Sequence, residues 1–468
     1  MKAFALISAL FALDTTGAFA QSDPPSDSVS LQELQQKLLI LERKLELKDE
    51  EAAAKATSTP KITVGPDGFI LRSADDAFLF KPRALLQVDY RAFLDGVDTG
   101  SQRTYLSRYP NNFPSTFLLR KVRPYFDVTL WKFAQFRIVP DFSGGSVTLL
   151  DAYADLTALP ELKLRVGRFT APIGLERYQA GTDNYFAEYG LPSNLSRNRD
   201  IGAQVFGDLL NGSYSYSVGV FNGAVDGANK DNDSTSHKDI VGRLFAQPFR
   251  TGNVEFLQDL GLGIAGAWGE HWGDSVNTSL PAYRTPGQNT FFRYRSGARD
   301  SLTVQAKGTY YSLVPQGYWY VGSFGLLGEY AYTSQEAWIP NNPKAGKKPL
   351  ESNSWQAIGV YVLTGEQPSY RGLKPRHPLG HGGIGAIELA ARVGQLNADL
   401  NNTFPVYADS TRFAREATSF GGAVNWYLNR AVKWTFDYQQ TSFEGGNRVT
   451  VNDRDDEKVF TTRLQFAY

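Results

Sequence analysis

The sequence contains no cysteine, four histidines and a single methionine, Met1. Without cysteine there is no disulfide framework, no thiolate-held zinc, no iron–sulfur cluster and no thiol nucleophile. Four histidines leave few ways to build a histidine metal site or an acid/base centre. Neither sign of charge is in excess: 48 Lys and Arg stand against 48 Asp and Glu. A nucleic-acid binder would normally carry a basic surplus. Past the N-terminal segment no run of eighteen uninterrupted apolar residues occurs, which excludes a membrane-spanning helix there. There is no Gly-Lys-Ser/Thr phosphate loop, no dinucleotide fingerprint and no His-Glu-x-x-His motif. Abundant instead are 24 Tyr, 30 Phe and 44 Gly. That mixture suits many strands with one wet face and one apolar face.

Met1-Lys2, the apolar run Ala3–Leu13 and Ala18-Phe19-Ala20 follow the order of a secretory signal, which predicts a signal peptide over 1–20. The run is too short to span a bilayer. An exported chain without a spanning helix enters a membrane only as a closed β-barrel. Residues 21–59 read as a polar segment, a coiled-coil helix and a linker. Leu31, Leu34, Leu38, Leu41 and Leu45 recur at alternating spacings of three and four, the seam of a coiled coil. About two and a half heptads are marginal alone, so the helix is expected to need copies of itself in a homotrimer. Glu50–Thr59 reads as the linker.

Residues 60–468 are expected to form an all-β, transmembrane antiparallel barrel of about sixteen strands. The period changes to two from about residue 79. Gln87, Asp89 and Arg91 alternate with Leu86, Val88 and Tyr90; Lys433, Thr435 and Asp437 alternate with Trp434, Phe436 and Tyr438. A soluble sandwich would alternate too. Full charges in mid-strand and aromatics at strand ends favour the barrel. So do tight turns (Leu209–Gly212, Asn429-Arg430) alternating with long loops (Leu94–Thr116, Ala171–Arg199, His271–Ser301). A barrel enzyme would need a His beside a strand-borne Ser, which the sequence does not offer. His377 and His381 sit among Pro378 and glycines with no carboxylate nearby, so they read as a turn rather than a metal site.

Several segments in order resemble the phosphate- and polyphosphate-selective porins of Gram-negative bacteria, the porin O and P family. They include LLQVDYRAF (85–93), RKVRPYFDVTLWKFAQF (120–136), VGRFTAPIGLER (166–177), LPSNLSRNRDIGAQVFGDL (191–209), FGLLGEYAY (324–332) and GAVNWYLN (422–429). The resemblance runs from about residue 79 to the C-terminus. It implies a trimeric sixteen-stranded barrel in the cell outer membrane, surrounded by its lipid, with the coiled coil in the periplasm. It implies a basic constriction that passes phosphate or other small anions, and neither cofactor nor metal.

The resemblance also implies a set of anion-path residues. Arg120 and Lys121 match the family's basic pair, Lys132 its Trp-Lys lysine, Arg168 its Gly-Arg-Phe step, and Arg177 the basic residue after Gly-Leu-Glu in an inward-folded loop. Alternation puts Arg123 on one wet face with Lys121 and Asp127. Arg120 would then face lipid, at about 2–4 kcal/mol in mid-membrane, so it is expected at a strand end or beside a bulge. Two positions depart from the family: Leu85 and Tyr189 stand where its members carry Arg. The expected lumen also holds Asp89, Asp127, Asp141, Asp151, Asp155, Glu329, Glu388 and Asp437. Residues 21–60 carry five basic and eight acidic side chains, which leaves 61–468 at only +3. A general diffusion porin of low specificity is therefore the alternative.

Overall fold

The computed structural model describes residues 31–65, 68–94, 115–229, 235–297, 303–340, 342, 345–380, 382–401, 403–447 and 453–468. The expected signal peptide and residues 21–30 lie outside them, as does His381. The chain divides into two units, Met1–Thr59 and Pro60–Tyr468.

In the first unit, helix α1 (Leu31–Ser58) runs through the stretch expected as a linker. Glu, Ala and Lys are strong helix formers, and Pro60 is the first breaker. All five seam leucines are exposed on the single chain, Leu31 to 79% and Leu38 to 59%. No helix among the described residues is long and apolar enough to cross a membrane.

The second unit opens with a small hairpin, β1 (Lys61–Gly65) and β2 (Gly68–Arg72), which pairs onto the start of β3 (Phe78–Phe93). From β3 the sheet proceeds antiparallel through β4 (Thr116–Leu130), β5 (Ala134–Asp141), β6 (Thr148–Leu159), β7 (Leu162–Thr170), β8 (Arg199–Leu209), β9 (Tyr214–Phe221), β10 (Asp239–Ala246) and β11 (Asp259–Trp272). The short hairpin β12 (Ala282–Arg284) and β13 (Thr290–Arg293) stands apart within a loop. The sheet resumes with β14 (Gln305–Val321), β15 (Phe324–Trp338), β16 (Lys348–Val362), β17 (Ala386–Asn397), β18 (Ala414–Tyr427), β19 (Val432–Gly445) and β20 (Glu457–Ala467). β20 pairs back onto β3, from Val459↔Phe93 to Ala467↔Leu85, closing sixteen strands into a barrel with no free edge.

Alternation sets what each face meets. Outward-facing Leu244, Leu262, Ile264, Leu313, Leu326 and Phe420 are exposed, as a lipid-facing belt must be. Trp426 and Trp434 stack at 6.5 Å near one end of it. Five connections at that end are tight: 131–133, 160–161, 210–213, 322–323 and 428–431. The opposite end carries the long loops, and two of them fold into the barrel. Residues 171–198 and the loop bearing β12 and β13 bury Ile173, Leu191, Leu195, Phe291 and Phe292 against lumen-facing Phe221, Val241 and Val314. Each such side chain contributes about 2 kcal/mol of apolar burial. Long loops were expected at these positions, and β7 and β8 bound the first within a residue of that reading. One connection at the tight-turn end was not anticipated: the segment after β16 also turns inward at Tyr370, whose hydroxyl donates to the Leu175 carbonyl at 2.6 Å.

Candidate functional site

The loop 171–198 narrows the lumen, and the wall holds it by charge and hydrogen bonding. Gly174 takes φ +78, and a Cβ there would lie 2.6 Å from Ser196 Oγ, so only glycine fits the turn that sends the chain inward. One helical turn follows, α2 (Leu175–Tyr178). Its first N–H groups meet a wall carboxylate: Leu175 N–H donates to Glu329 Oε2 at 2.6 Å. Gln356 Nε2 donates to Glu176 Oε2 at 2.9 Å and Glu329 Oε1 at 2.8 Å. Arg392 Nη1 donates to Glu176 at 3.1 Å and the Glu188 carbonyl at 3.0 Å. Lower down, Ala187 N–H donates to Asp437 at 3.0 Å, and Lys433 donates to the Asn184 carbonyl at 2.9 Å.

This accounts for the acidic side chains on the wet face. Arg463 bridges Asp89 (2.6 Å), and Arg83 and Arg137 bracket Asp127 (2.6 and 2.5 Å). Arg123 meets Asp141 (2.7 Å), Arg199 meets Asp151 (3.1 Å) and Arg165 meets Asp155 (2.7 Å). Glu388 accepts from Asn425 and Tyr427 at 3.0 and 3.2 Å. Glu329 and Asp437 are occupied by the loop. All eight acids are engaged by wall or loop groups, so a solute in the lumen meets fewer bare carboxylates than the composition implies.

Two cavities of about 750 and 560 Å³ occupy the long-loop and tight-turn halves of the lumen. Arg123, Arg177, Tyr189 and Arg199 line both, so the two halves meet at three guanidiniums and a phenol ring. Arg177 leaves α2 with its guanidinium 5.1 Å from the Tyr189 ring centre, donating to the Ser193 carbonyl at 2.7 and 3.1 Å. No ion pair to Arg177 occurs among the described residues. Phenol and arginine thus stack at the junction of the two cavities.

Arg120 and Lys121 line the long-loop cavity. A β-bulge puts them there: Gln87 pairs with Lys121 and Val88 with Leu119, so Arg120 is the extra residue. Both side chains then turn inward, which removes the cost of an arginine in lipid. Arg120 closes a bidentate pair on loop residue Glu188 (2.5 and 2.8 Å), which Arg91 and Arg463 also reach at 3.2 Å. Burial pushes the Glu188 carboxyl up, but the guanidiniums, Arg120 first, hold it well below the usual carboxylate range. Lys121 Nζ lies 3.5 Å from the Gly181 carbonyl.

Two expected residues are not brought to the lumen. Lys132 sits exposed in the β4–β5 turn, where Trp131 and Lys132 take φ +48 and +66. Two successive positive φ values in this three-residue turn remove them from the strand's alternation. Arg168 has the strand parity of outward-exposed Leu164 and Val166, is itself buried, and lines neither cavity; its neighbour Phe169 has the lumen parity. Sequence reasoning in turn missed Arg199. Counting back from Gln204 and Phe206 puts it on the outer face. As the first residue of β8, it still follows the inward loop, and its Nε reaches Asp151.

The sequence profile of the family described as phosphate-selective porin O and P matches residues 115–468. Porin O of Pseudomonas aeruginosa is 27% identical over 428 residues, covering 86% of this chain and 91% of that protein. The outer membrane channel DcaP of Acinetobacter baumannii superposes with a TM-score of 0.51 at 10% identity, over 84% of this chain and 98% of that one. An anion-selective porin from Comamonas acidovorans gives a TM-score of 0.48 at 11% identity, over 84% and 100%.

Proposed function

The chain belongs to the phosphate-selective porin O and P family and forms an outer-membrane β-barrel channel; on that premise we propose that it passes small anions, phosphate among them, through the ring of Arg123, Arg177, Tyr189 and Arg199. The observation that carries this reading is the junction of the two half-lumen cavities at three guanidiniums. Arg123 and Arg199 are each balanced by one aspartate, while Arg177 bonds only to a carbonyl. Net charge at the junction is therefore positive, and confinement in a low-dielectric wall enlarges its effect on an ion. Arginine suits phosphate by two parallel N–H bonds to its oxygens. Arg120 and Lys121 would draw the anion from the long-loop side.

Tyr189 and the paired state of Arg123 and Arg199 favour a second reading, a general anion-tolerant porin that passes chloride and phosphate alike. Single-channel recording separates the two. Phosphate added at millimolar concentration should block chloride current if the ring binds it. Chloride current unaffected by phosphate would leave the general porin.

We further propose residues 1–20 as a cleaved signal and a homotrimer as the working state. Two features support the trimer. The leucine row of α1 is exposed on a single chain. The barrel wall is uneven: β5, β9 and β10 have eight residues, against seventeen in β14. Eight residues tilted at about 45° rise about 19 Å, short of the roughly 25 Å apolar belt. That low side needs protein rather than lipid beside it.

A further inference from the structure

A third cavity of about 610 Å³ opens from the tight-turn half of the lumen, sharing Tyr178, Ala180, Asp183 and Arg371 with the ion path. Its walls are unlike the rest of the wet face. Seven aromatic side chains line it: Tyr178, Phe206, Tyr216, Phe245, Tyr318, Tyr320 and Tyr370. Phe245 and Tyr318 lie 5.1 Å apart, and Tyr318 stacks on Tyr370 at 5.2 Å and 17°. β11 makes room for this layer with Gly261, where a Cβ would come within 2.7 Å of both the Phe245 and Tyr318 rings. Tyr178, Phe206, Tyr318 and Tyr370 stay only half-buried, so apolar ring surface is left facing water inside a porin lumen. Lumens of this kind are normally polar.

The same cavity holds an arginine that departs from the pattern of the wall. Most strand-borne lumen arginines are ion-paired; Arg243 makes no ion pair with any of the described residues. Its Nε and Nη2 both donate to Gln316 Oε1 at 3.2 Å. A guanidinium has five donors, so three remain without a protein acceptor. Its Cζ lies 4.6 Å from the Phe245 ring centre and 5.2 Å from that of Tyr178. The cavity's three carboxylates are engaged: Asp183 accepts from the Thr182 hydroxyl at 2.9 Å, Asp208 pairs with Lys163 at 3.1 Å, and Asp259 accepts from Gln367 at 2.8 Å. Arg371 lines the rim and makes no ion pair among the described residues. A guanidinium with spare donors, set between aromatic rings at the edge of an ion path, is complementary to an anion that carries a ring of its own.

We propose that this chamber is a binding subsite for aromatic carboxylates, the carboxylate bonding to Arg243 and the ring packing against Tyr318 and Phe206. Inorganic anions traverse the junction without entering it. An aryl carboxylate arriving from the tight-turn side lodges there and obstructs the shared rim.

Benzoate, with acetate as the ringless control, tests this in planar bilayers, each added on the tight-turn side during chloride conduction. Benzoate should block at a concentration about tenfold below that of acetate, a preference one added ring contact supplies. Tyr318→Leu should remove most of that preference, and Arg243→Gln should raise the blocking concentration severalfold. Equal block by benzoate and acetate, or full benzoate preference in both variants, would overturn the proposal. Calorimetric titration of benzoate onto the detergent-solubilised protein reads the same subsite without any current. A channel that fails to prefer anions but still binds benzoate through Arg243 would defeat the anion-path reading and leave the subsite standing.

Discussion

Replacing Arg177 by glutamate changes the charge at the junction by two units and gives up its two hydrogen bonds to the Ser193 carbonyl. The guanidinium lies 5.1 Å from the Tyr189 ring centre. An anion squeezing past at that distance interacts by about 3 kcal/mol at an effective dielectric of 20 and about 0.8 kcal/mol at 80. The lumen is wet and screened, so a value near 1 kcal/mol per charge is the reasonable scale, or roughly fivefold in occupancy. Reversal acts twice on anions and oppositely on cations. The anion-to-cation permeability ratio should therefore fall by more than about tenfold. The assay is the zero-current potential across a tenfold potassium chloride gradient, with single barrels or trimers in a planar bilayer. Lys132→Glu, the same reversal in an exposed turn, is the control and should leave the potential at its wild-type value. Phosphate block of chloride current should weaken in Arg177→Ala. A permeability ratio unchanged in Arg177→Glu would refute the argument that the inward loop sets selectivity.

Glu188→Gln removes the carboxylate that Arg91, Arg120 and Arg463 share; breaking such a buried network should cost about 3–5 kcal/mol and lower the temperature at which the folded band unfolds on semi-native gels. Because the folded state depresses the Glu188 carboxyl, its contribution is present at neutral pH and should fade as the pH drops below the ordinary carboxylate range in wild type. Asp226, in the long loop after β9, is pushed up to about 7 by burial. Raising the pH from 6 to 8 should then add a negative charge beside the long-loop cavity and lower anion preference by about twofold, while Asp226→Asn should give a flat profile in the same recordings. Replacing Leu34, Leu38 and Leu41 together by Ser should weaken the trimer against heating in detergent while leaving the barrel folded, as followed by native gels and light scattering.

Sequence periodicity alone carried most of the barrel. Strands such as β19 and β20 show strict alternation with charges in mid-strand, and a wet lumen is the only interior where Asp437 and Arg463 can face inward at that spacing. The long loop read from Ala171 to Arg199 matches the inward segment to within one residue, while its inward folding came from the resemblance. For Arg120 the cost of a lipid-facing arginine left a strand end or a bulge, and the pairing of β3 with β4 has the bulge. The failures have separate origins. Lys132 sits in a turn whose two positive φ values fall on Trp and Lys, where no Gly or Asn signals them. Arg199 lies where the inward loop rejoins the wall, and parity counted along a strand fails there, whereas Arg168 was expected from the resemblance although the parity of Leu164 and Val166 puts it on the outer face. The eight lumen acids seemed to argue against an anion path, because sequence does not show that Glu329 caps α2 or that Asp437 holds Ala187. Nor did it show that the segment after β16 reaches up to the loop through Tyr370, since that contact joins residues 195 apart.

The central claim is that the junction of Arg123, Arg177, Tyr189 and Arg199 makes an open channel that prefers anions. The zero-current potential of the wild-type channel across a tenfold potassium chloride gradient tests it most directly. The account predicts a potential of the sign that marks chloride as the more permeant ion, and a shift toward zero when phosphate on both sides occupies the ring. A potential of the opposite sign, marking potassium as the more permeant ion, would contradict it.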